Sequence, residues 1–246
     1  MTHTNPIAHT YAASAEWAKL KNPPTALELS QPFKQAYKET LISHPNFRHE
    51  DLADSDGPGK VWWYRMLQRT MELSGRTYSK EDFDRFFLNV YQYFGSYNAY
   101  TLLPDVNPFL KFIKTETNIN VIGVISNCPS RTVDDILPML GLAQDMNFFV
   151  CAQSFGGMKP DSPIFQEAFQ HVQFWHNATC LSDDDIINPN HILHVGDSLE
   201  SDYAGAKSCH FQAALLNRKG NVKYNEWLKA PDYPGASTDN VDNQTY

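Results

Sequence analysis

The sequence predicts an α/β protein, a three-layer Rossmann-like parallel sheet preceded by an all-helical domain, and three observations carry that reading. The first 100 residues repeat apolar side chains at helical spacing without a convincing strand. From Leu102 onward, short apolar runs alternate with amphipathic stretches. The residues that end those runs are also the ones with chemistry to offer, as expected at the carboxyl ends of parallel strands.

In the helical part, Trp17, Leu20, Leu27, Phe33, Tyr37 and Leu41 recur on a helical rhythm, and so do Trp62, Trp63, Met66, Leu67, Met71 and Leu73. Ser79, followed by Lys80, Glu81 and Asp82, reads as an N-cap with acids in the first turn. It opens a helix through Phe83, Phe86, Phe87 and Tyr91. Residues 1–100 are therefore expected to form a helical domain. In the α/β part, strands are expected over residues 120–125, 147–151, 192–196 and 212–216, and helices over 106–115, 131–140, 163–172 and 202–207. That alternation is the mark of parallel strands joined by right-handed crossovers, which defines a core over residues 101–228. Beyond it, residues 229–246 are polar, rich in turn formers and without periodicity, as a loose tail is.

Composition bounds the function. With 42% apolar and 20% charged residues, a chain of 246 residues folds as a globular protein, either one α/β domain with an insertion or two small domains. A net charge of −8, with an acidic run at Asp183, Asp184 and Asp185, argues against a nucleic-acid partner, which calls for clustered Lys and Arg. Cys128, Cys151, Cys180 and Cys209 are widely spaced with no CxxC pair, which suits reduced thiols better than a disulfide framework or a zinc site. The N-terminus has no signal-like pattern, and no apolar run approaches the ~18 residues of a membrane span. A soluble, cytoplasmic protein is expected. The glycosylation triplets at Asn177 and Asn243 are most simply chance in that setting.

Three strand ends stand out. The first run stops at Ser126-Asn127, where a hydroxyl and an amide can hold a phosphate oxygen; the same pair also makes an ordinary helix cap. The second is followed by Gly156-Gly-Met-Lys159-Pro-Asp, where Lys159 offers a point positive charge for a phosphoryl group, although a lone Lys is normally solvated. The third delivers Gly196-Asp197-Ser-Leu-Glu-Ser-Asp202. Two carboxylates five residues apart can share a hard cation, and magnesium takes one or two protein carboxylates plus water and phosphate oxygens; either Asp alone is equally an N-cap.

The order Ser-Asn, then Lys-Pro-Asp, then Gly-Asp-x-x-x-x-Asp, each after its own strand, resembles the haloacid dehalogenase superfamily over roughly residues 102–217. The helical part resembles that family's type 1 cap. Phe33-Lys-Gln-Ala-Tyr37, His44-Pro-Asn-Phe47 and Trp62-Trp63 narrow the likeness to one member. The resemblance implies magnesium-dependent hydrolysis of a small phosphorylated metabolite through an aspartyl-phosphate. In it Ser126 and Lys159 are the catalytic residues, Ser126, Asn127 and Lys159 bind substrate, and Asp197 and Asp202 serve the metal. Dehalogenase and phosphonatase readings need the same nucleophile and are weaker.

That nucleophile belongs to the family's first motif, Asp-x-Asp-x-Thr/Val at the end of a mid-sheet strand, and nothing here fits it. Asp54-Ser55-Asp56-Gly57 has the right letters, but no buried strand precedes it and it reads as a polar loop. The expectation is a chain incomplete at its N-terminus, lacking the first core strand and the segments flanking the cap, inactive as written and weak in magnesium binding. The alternative is a pseudoenzyme, a non-catalytic binding protein that keeps the fold.

Overall fold

A computed structural model describes residues 1–48, 59–179 and 186–217. Asp54 to Gly57, the acidic run Asp183 to Asp185, Cys180 and the expected tail over 229–246 lie outside the described residues. The chain divides into two compact units, Met1–Gly157 and Met158–Tyr246.

In the first unit, β1 (Thr2–His3) is followed by four helices, α1 (Ile7–Trp17), α2 (Ala26–Ser43), α3 (Lys60–Leu73) and α4 (Lys80–Tyr93), and then by β2 (Tyr100–Thr101). Local sequence sets the helix starts. Thr25 and Glu28 form a capping box at α2, in which Glu28 N–H donates to Thr25 Oγ1 over 3.3 Å and Thr25 N–H to Glu28 Oε2 over 2.8 Å. At α4, Asp82 N–H donates to the Ser79 hydroxyl over 3.2 Å, the expected cap. α3 starts at Gly59, whose φ of 67° is left-handed and favours glycine.

The helices close on Tyr11, Leu29, Leu67, Met71, Phe86 and Phe94, none more than 2% exposed. Tyr64 meets Phe83 and Phe87 edge-on with centroids 4.9 and 5.0 Å away. The first of the two expected apolar stripes is corrected. Trp17 and Leu27 are 74% and 86% exposed, Phe33, Tyr37 and Leu41 are only half-buried, and Leu20 lies beyond the end of α1. Leu29, Ala36 and Thr40 point inward instead, because small residues on α2 let α3 approach closely. The stripes on α3 and α4 run as expected through Trp62, Met66, Leu67 and Met71, and through Phe83, Phe86 and Phe87.

A second correction concerns the ends of this helical layer, read from the sequence as having no convincing strand. β1 and β2 pair antiparallel, Thr2 with Thr101 and His3 with Tyr100, and Thr4 N–H donates to Ala99 C=O over 2.9 Å. The layer thus opens and closes on one ribbon. Strands of two residues carry no alternation to read.

The same unit continues through α5 (Val106–Glu116), β3 (Gly123–Ser126), a π-type turn over Thr132–Ile136, α6 (Leu137–Met139), β4 (Phe148–Cys151) and α7 (Ala152–Phe155). β3 and β4 are parallel, pairing Gly123 with Phe148 and Ser126 with Cys151. The strand expected from residue 120 joins the ladder only at Gly123. Just before it Asn147 clasps Ile122, its N–H donating to the Ile122 carbonyl over 2.6 Å and its Oδ1 accepting the Ile122 N–H over 2.8 Å. A Cβ on Gly123 would overlap the Phe148 ring, so a larger residue in that register requires the ring to move. Leu110, Ile136, Leu137, Leu140 and Leu142 form the core between these elements.

The second unit contains α8 (Ser162–Thr179), β5 (Leu193–Gly196), a π-type turn over Leu199–Ala204, α9 (Gly205–Ser208) and β6 (Gln212–Leu215). β5 and β6 are parallel, from Leu193 paired with Gln212 to Gly196 paired with Leu215. One face packs on Phe165 and Phe211, which meet edge-on at 5.9 Å. On the other face Leu193 and Val195 stay 53% and 41% exposed, although strands of parallel sheets are ordinarily buried on both faces. Among the described residues β5 has a ladder partner on one edge only. The whole is the expected α/β fold, parallel strand pairs with crossover helices and a helical layer in front.

Candidate active site

Where β5 ends, alternation places His194 and Gly196 on one face, and the chain then turns through Asp197 and Ser198 into the helical turns that carry Asp202. Asp202 is only 6% exposed, yet it is fully partnered. Lys159 Nζ donates to its Oδ1 over 2.6 Å, His194 Nε2 faces the same oxygen at 3.0 Å, and Ser198 N–H donates to Oδ2 over 2.9 Å. Burial by itself opposes ionisation of Asp202. The hydrogen bonds from His194 and Lys159, the Lys159 charge and the Ser198 N–H more than offset it, and hold the carboxyl well below the usual carboxylate range. Gly196 is required here, because a Cβ would overlap the Asp202 carboxyl group. Lys159 is joined to Pro160 by a cis peptide bond. Gly205 keeps the neighbouring wall open, since a Cβ there would sit 3.0 Å from Pro160 Cα.

Of the residues singled out in the sequence, the structure therefore brings Lys159 and Asp202 into direct contact. Asp197 stands exposed on the turn after β5. His194 was missed. Its signal was its place on the strand, two residues before Gly196 and so on the same face, but a strand histidine is ordinarily a core residue.

Ser126 and Asn127 lie in the first unit, half-buried at the end of β3. Ser126 does not cap a helix, because the following helical segment begins only at Ser130. The loop between them is held from several sides. Ser130 N–H donates to Gln153 Oε1 over 3.0 Å, and the Ser126 hydroxyl bonds the Cys128 thiol. Arg131 stacks on the Tyr91 ring at 3.9 Å and donates to the Tyr91 carbonyl over 2.8 Å. Gly95 makes room for it, since a Cβ would overlap the guanidinium. None of Gln153, Tyr91 and Arg131 carries a motif, so only folding reveals them.

Asp197 offers an open carboxylate, whereas both oxygens of Asp202 are already engaged by Lys159, His194 and Ser198 N–H. Among the described residues no group of three or more His, Cys, Asp or Glu side chains is gathered as a metal site, so Asp197 would bring a single carboxylate to a magnesium ion.

Parallel strands that end in Ser-Asn and in a Gly-Asp turn, the latter turn meeting Lys159 through Asp202, define a Rossmann-like α/β core of the kind that takes ligands at its strand ends. The model of the haloacid dehalogenase-like hydrolase family matches residues 2–210, and the chain belongs to that family. It is 27% identical over 212 residues to the bovine haloacid dehalogenase-like hydrolase domain-containing protein 3, covering 86% of this chain and 75% of that protein. This is the member to which the Phe33, His44 and Trp62 segments pointed. It is 24% identical over 199 residues to the rhythmically expressed gene 2 protein of Drosophila melanogaster, covering 78% of this chain and 70% of that protein. Among solved structures, the 2-haloacid dehalogenase of Pseudomonas syringae superimposes with a TM-score of 0.57 at 22% identity, covering 90% of this chain and 84% of that one. The likeness to that structure establishes the fold.

Proposed function

We propose that these strand ends are the phosphoryl-handling part of a magnesium-dependent phosphomonoester hydrolase acting on a small phosphorylated metabolite. The observation that carries the reading is the buried Lys159–Asp202 pair, 2.6 Å long, bonded to Ser198 N–H of the turn that also carries the exposed Asp197. A structural ion pair gains little from such burial. A lysine held in one orientation beside an open carboxylate suits a phosphoryl group bridged to a cation. In this reading Lys159 of the second unit, and separately the Ser126 hydroxyl and Asn127 amide of the first, are groups for phosphoryl oxygens. Asp202 orients Lys159, and His194 orients Asp202. Asp197 holds magnesium, which when bound neutralises phosphoryl charge. The carboxylate that would attack phosphorus is not supplied by any motif of the 246 residues. In-line transfer to an Asp therefore requires a strand bearing Asp-x-Asp-x-Thr, and β5, which has a ladder partner on one edge only among the described residues, leaves an edge on which such a strand could pair.

Hydrolysis of p-nitrophenyl phosphate with and without magnesium tests this. The polypeptide as given is expected to turn over no faster than its Asp197→Asn variant. The same polypeptide extended at its N-terminus by a strand ending in Asp-x-Asp-x-Thr is expected to gain magnesium-dependent turnover that Lys159→Met and Asp197→Asn each abolish. Silence of the extended polypeptide would favour the rival reading, a binding protein on this fold. Magnesium-dependent turnover by the unextended one would place a nucleophile within these residues and overturn the assignment.

A further inference from the structure

We propose that Cys128 and Cys151 are a paired modification site, a dithiol that a peroxide closes into a disulfide, and that closure moves the Ser126–Asn127 turn. The observation is where parallel register places them. Ser126 is paired with Cys151, and the chain beyond Ser126 curls over the strand ends, so that Gln153 N–H donates to the Cys128 carbonyl over 3.4 Å. Cys151 Sγ accordingly lies 3.7 Å from the hydroxyl of Ser130, two residues beyond Cys128, and the two thiols interact.

Their surroundings differ in a way that sets the order of events. Cys151 Sγ takes the Cys128 S–H, lies 3.0 Å from the Ser154 hydroxyl and 3.7 Å from that of Ser130. The Cys128 hydrogen bond first, then burial in opposition, then the two serines, together draw Cys151 below the ordinary thiol range. Cys128 moves the opposite way, raised first by its bond to Cys151 and then by burial. Cys151 is fully buried and Cys128 is 9% exposed, so the oxidant must be as small as hydrogen peroxide.

The chemistry balances without a further reagent. The Cys151 sulfur attacks one peroxide oxygen; the S–O bond forms, the O–O bond breaks, and the departing hydroxide takes a proton as water. Cys128 then attacks the sulfenic sulfur, the S–S bond forms, the S–O bond breaks, and a second water leaves. Two thiols lose two hydrogens and two electrons to one peroxide. Cys128 thereby gives up its hydrogen bond to the Ser126 hydroxyl and is drawn to the ~3.8 Å Cβ separation a disulfide demands. The consequence for phosphoryl binding rests on the role proposed for Ser126; the bond itself does not.

The test uses the full chain, reduced and then treated with equimolar hydrogen peroxide, alkylated with N-ethylmaleimide in denaturant and mapped without reductant. A Cys128–Cys151 cross-linked peptide is expected, two hydrogens lighter than its parts and reopened by dithiothreitol, with Cys209 still alkylated. In Cys128→Ser, Cys151 should stop at the sulfenic acid and take dimedone once the chain is denatured. Amide resonances of Ser126 and Asn127 should shift on oxidation of the unsubstituted chain. Both thiols alkylating freely after peroxide, a link between other cysteines, or sulfonic acid without a link would overturn the site, and the unsubstituted chain decides this even if the variant misfolds. A link that leaves the Ser126 and Asn127 amides unmoved would overturn control of the turn. Failure of the hydrolase reading registers separately, in the turnover assay.

Discussion

Replacing Asp202 by Asn should loosen the second unit far more than its conservative size suggests. Asp202 and Lys159 have side chains only 8% and 10% exposed, and their contact is 2.6 Å. Removing one partner of a buried pair leaves the other charge without compensation, which costs about 3–5 kcal/mol. Asn keeps an oxygen for His194 and Lys159, so the low end, about 3 kcal/mol, is expected, or roughly a hundredfold in an opening equilibrium. Lys159→Met should cost less, because His194 and Ser198 N–H still hold the carboxylate. The double variant should then cost less than the sum by about 1.5–3 kcal/mol. Native-state amide exchange reads this at Gln212 and Leu216, whose N–H groups donate to Ile192 and Gly196 carbonyls over 2.8 and 2.7 Å. Single-variant costs that add to within about 0.5 kcal/mol would refute the coupling and, with it, the view that Asp202 acts through Lys159.

Acid should act on the same group. Since the folded carboxyl of Asp202 titrates below its unfolded value of about 3.9, its contribution is complete above that pH and lost as pH falls through the folded value. Exchange at Gln212 and Leu216, corrected for intrinsic rates, should therefore quicken below about pH 4 in the natural chain and stay flat in Asp202→Asn. Gly196→Ala should cost at least about 2 kcal/mol and disrupt the Lys159 contact, because its Cβ overlaps the Asp202 carboxyl; a chemical shift of Lys159 Nζ unchanged from the parent would contradict this. The Thr10 hydroxyl, buried in α1 and without a hydrogen-bond partner among the described residues, predicts that Thr10→Val is neutral or up to about 1 kcal/mol more stable in urea melts. A loss of more than about 1 kcal/mol there would reveal a partner for that oxygen.

The α/β order was legible because strand ends and helix starts are local. Val121 to Ile125 and His191 to Val195 announce strands by apolar runs, and Ser79 announces α4 by its cap. Lys159 was legible because it follows the second run, and Asp197 and Asp202 because both follow the third. Trp17 and Leu27 misled because periodicity measures spacing and not which side of a helix finds a neighbour; both turned outward while Ala36 and Thr40 turned in. The β1–β2 ribbon escaped because pairing Thr2 with Thr101 is a contact across the whole helical layer, with no trace in either segment.

What the sequence determined by itself is the set of chemical groups and their order along the chain, because side-chain type and strand-end position are carried by a few adjacent residues. Which groups touch was decided only by tertiary structure. Lys159 and Asp202 are 43 residues apart, and the 2.6 Å between them, with His194 on the same oxygen, depends on β5, the turn at Gly196 and the helical turns beyond it closing on one point. The Cys128 and Cys151 thiols likewise meet only through the register of β3 on β4. Hydrogen bonds and ion pairs act over a few ångströms, so their existence is a property of the folded geometry and not of spacing in the chain.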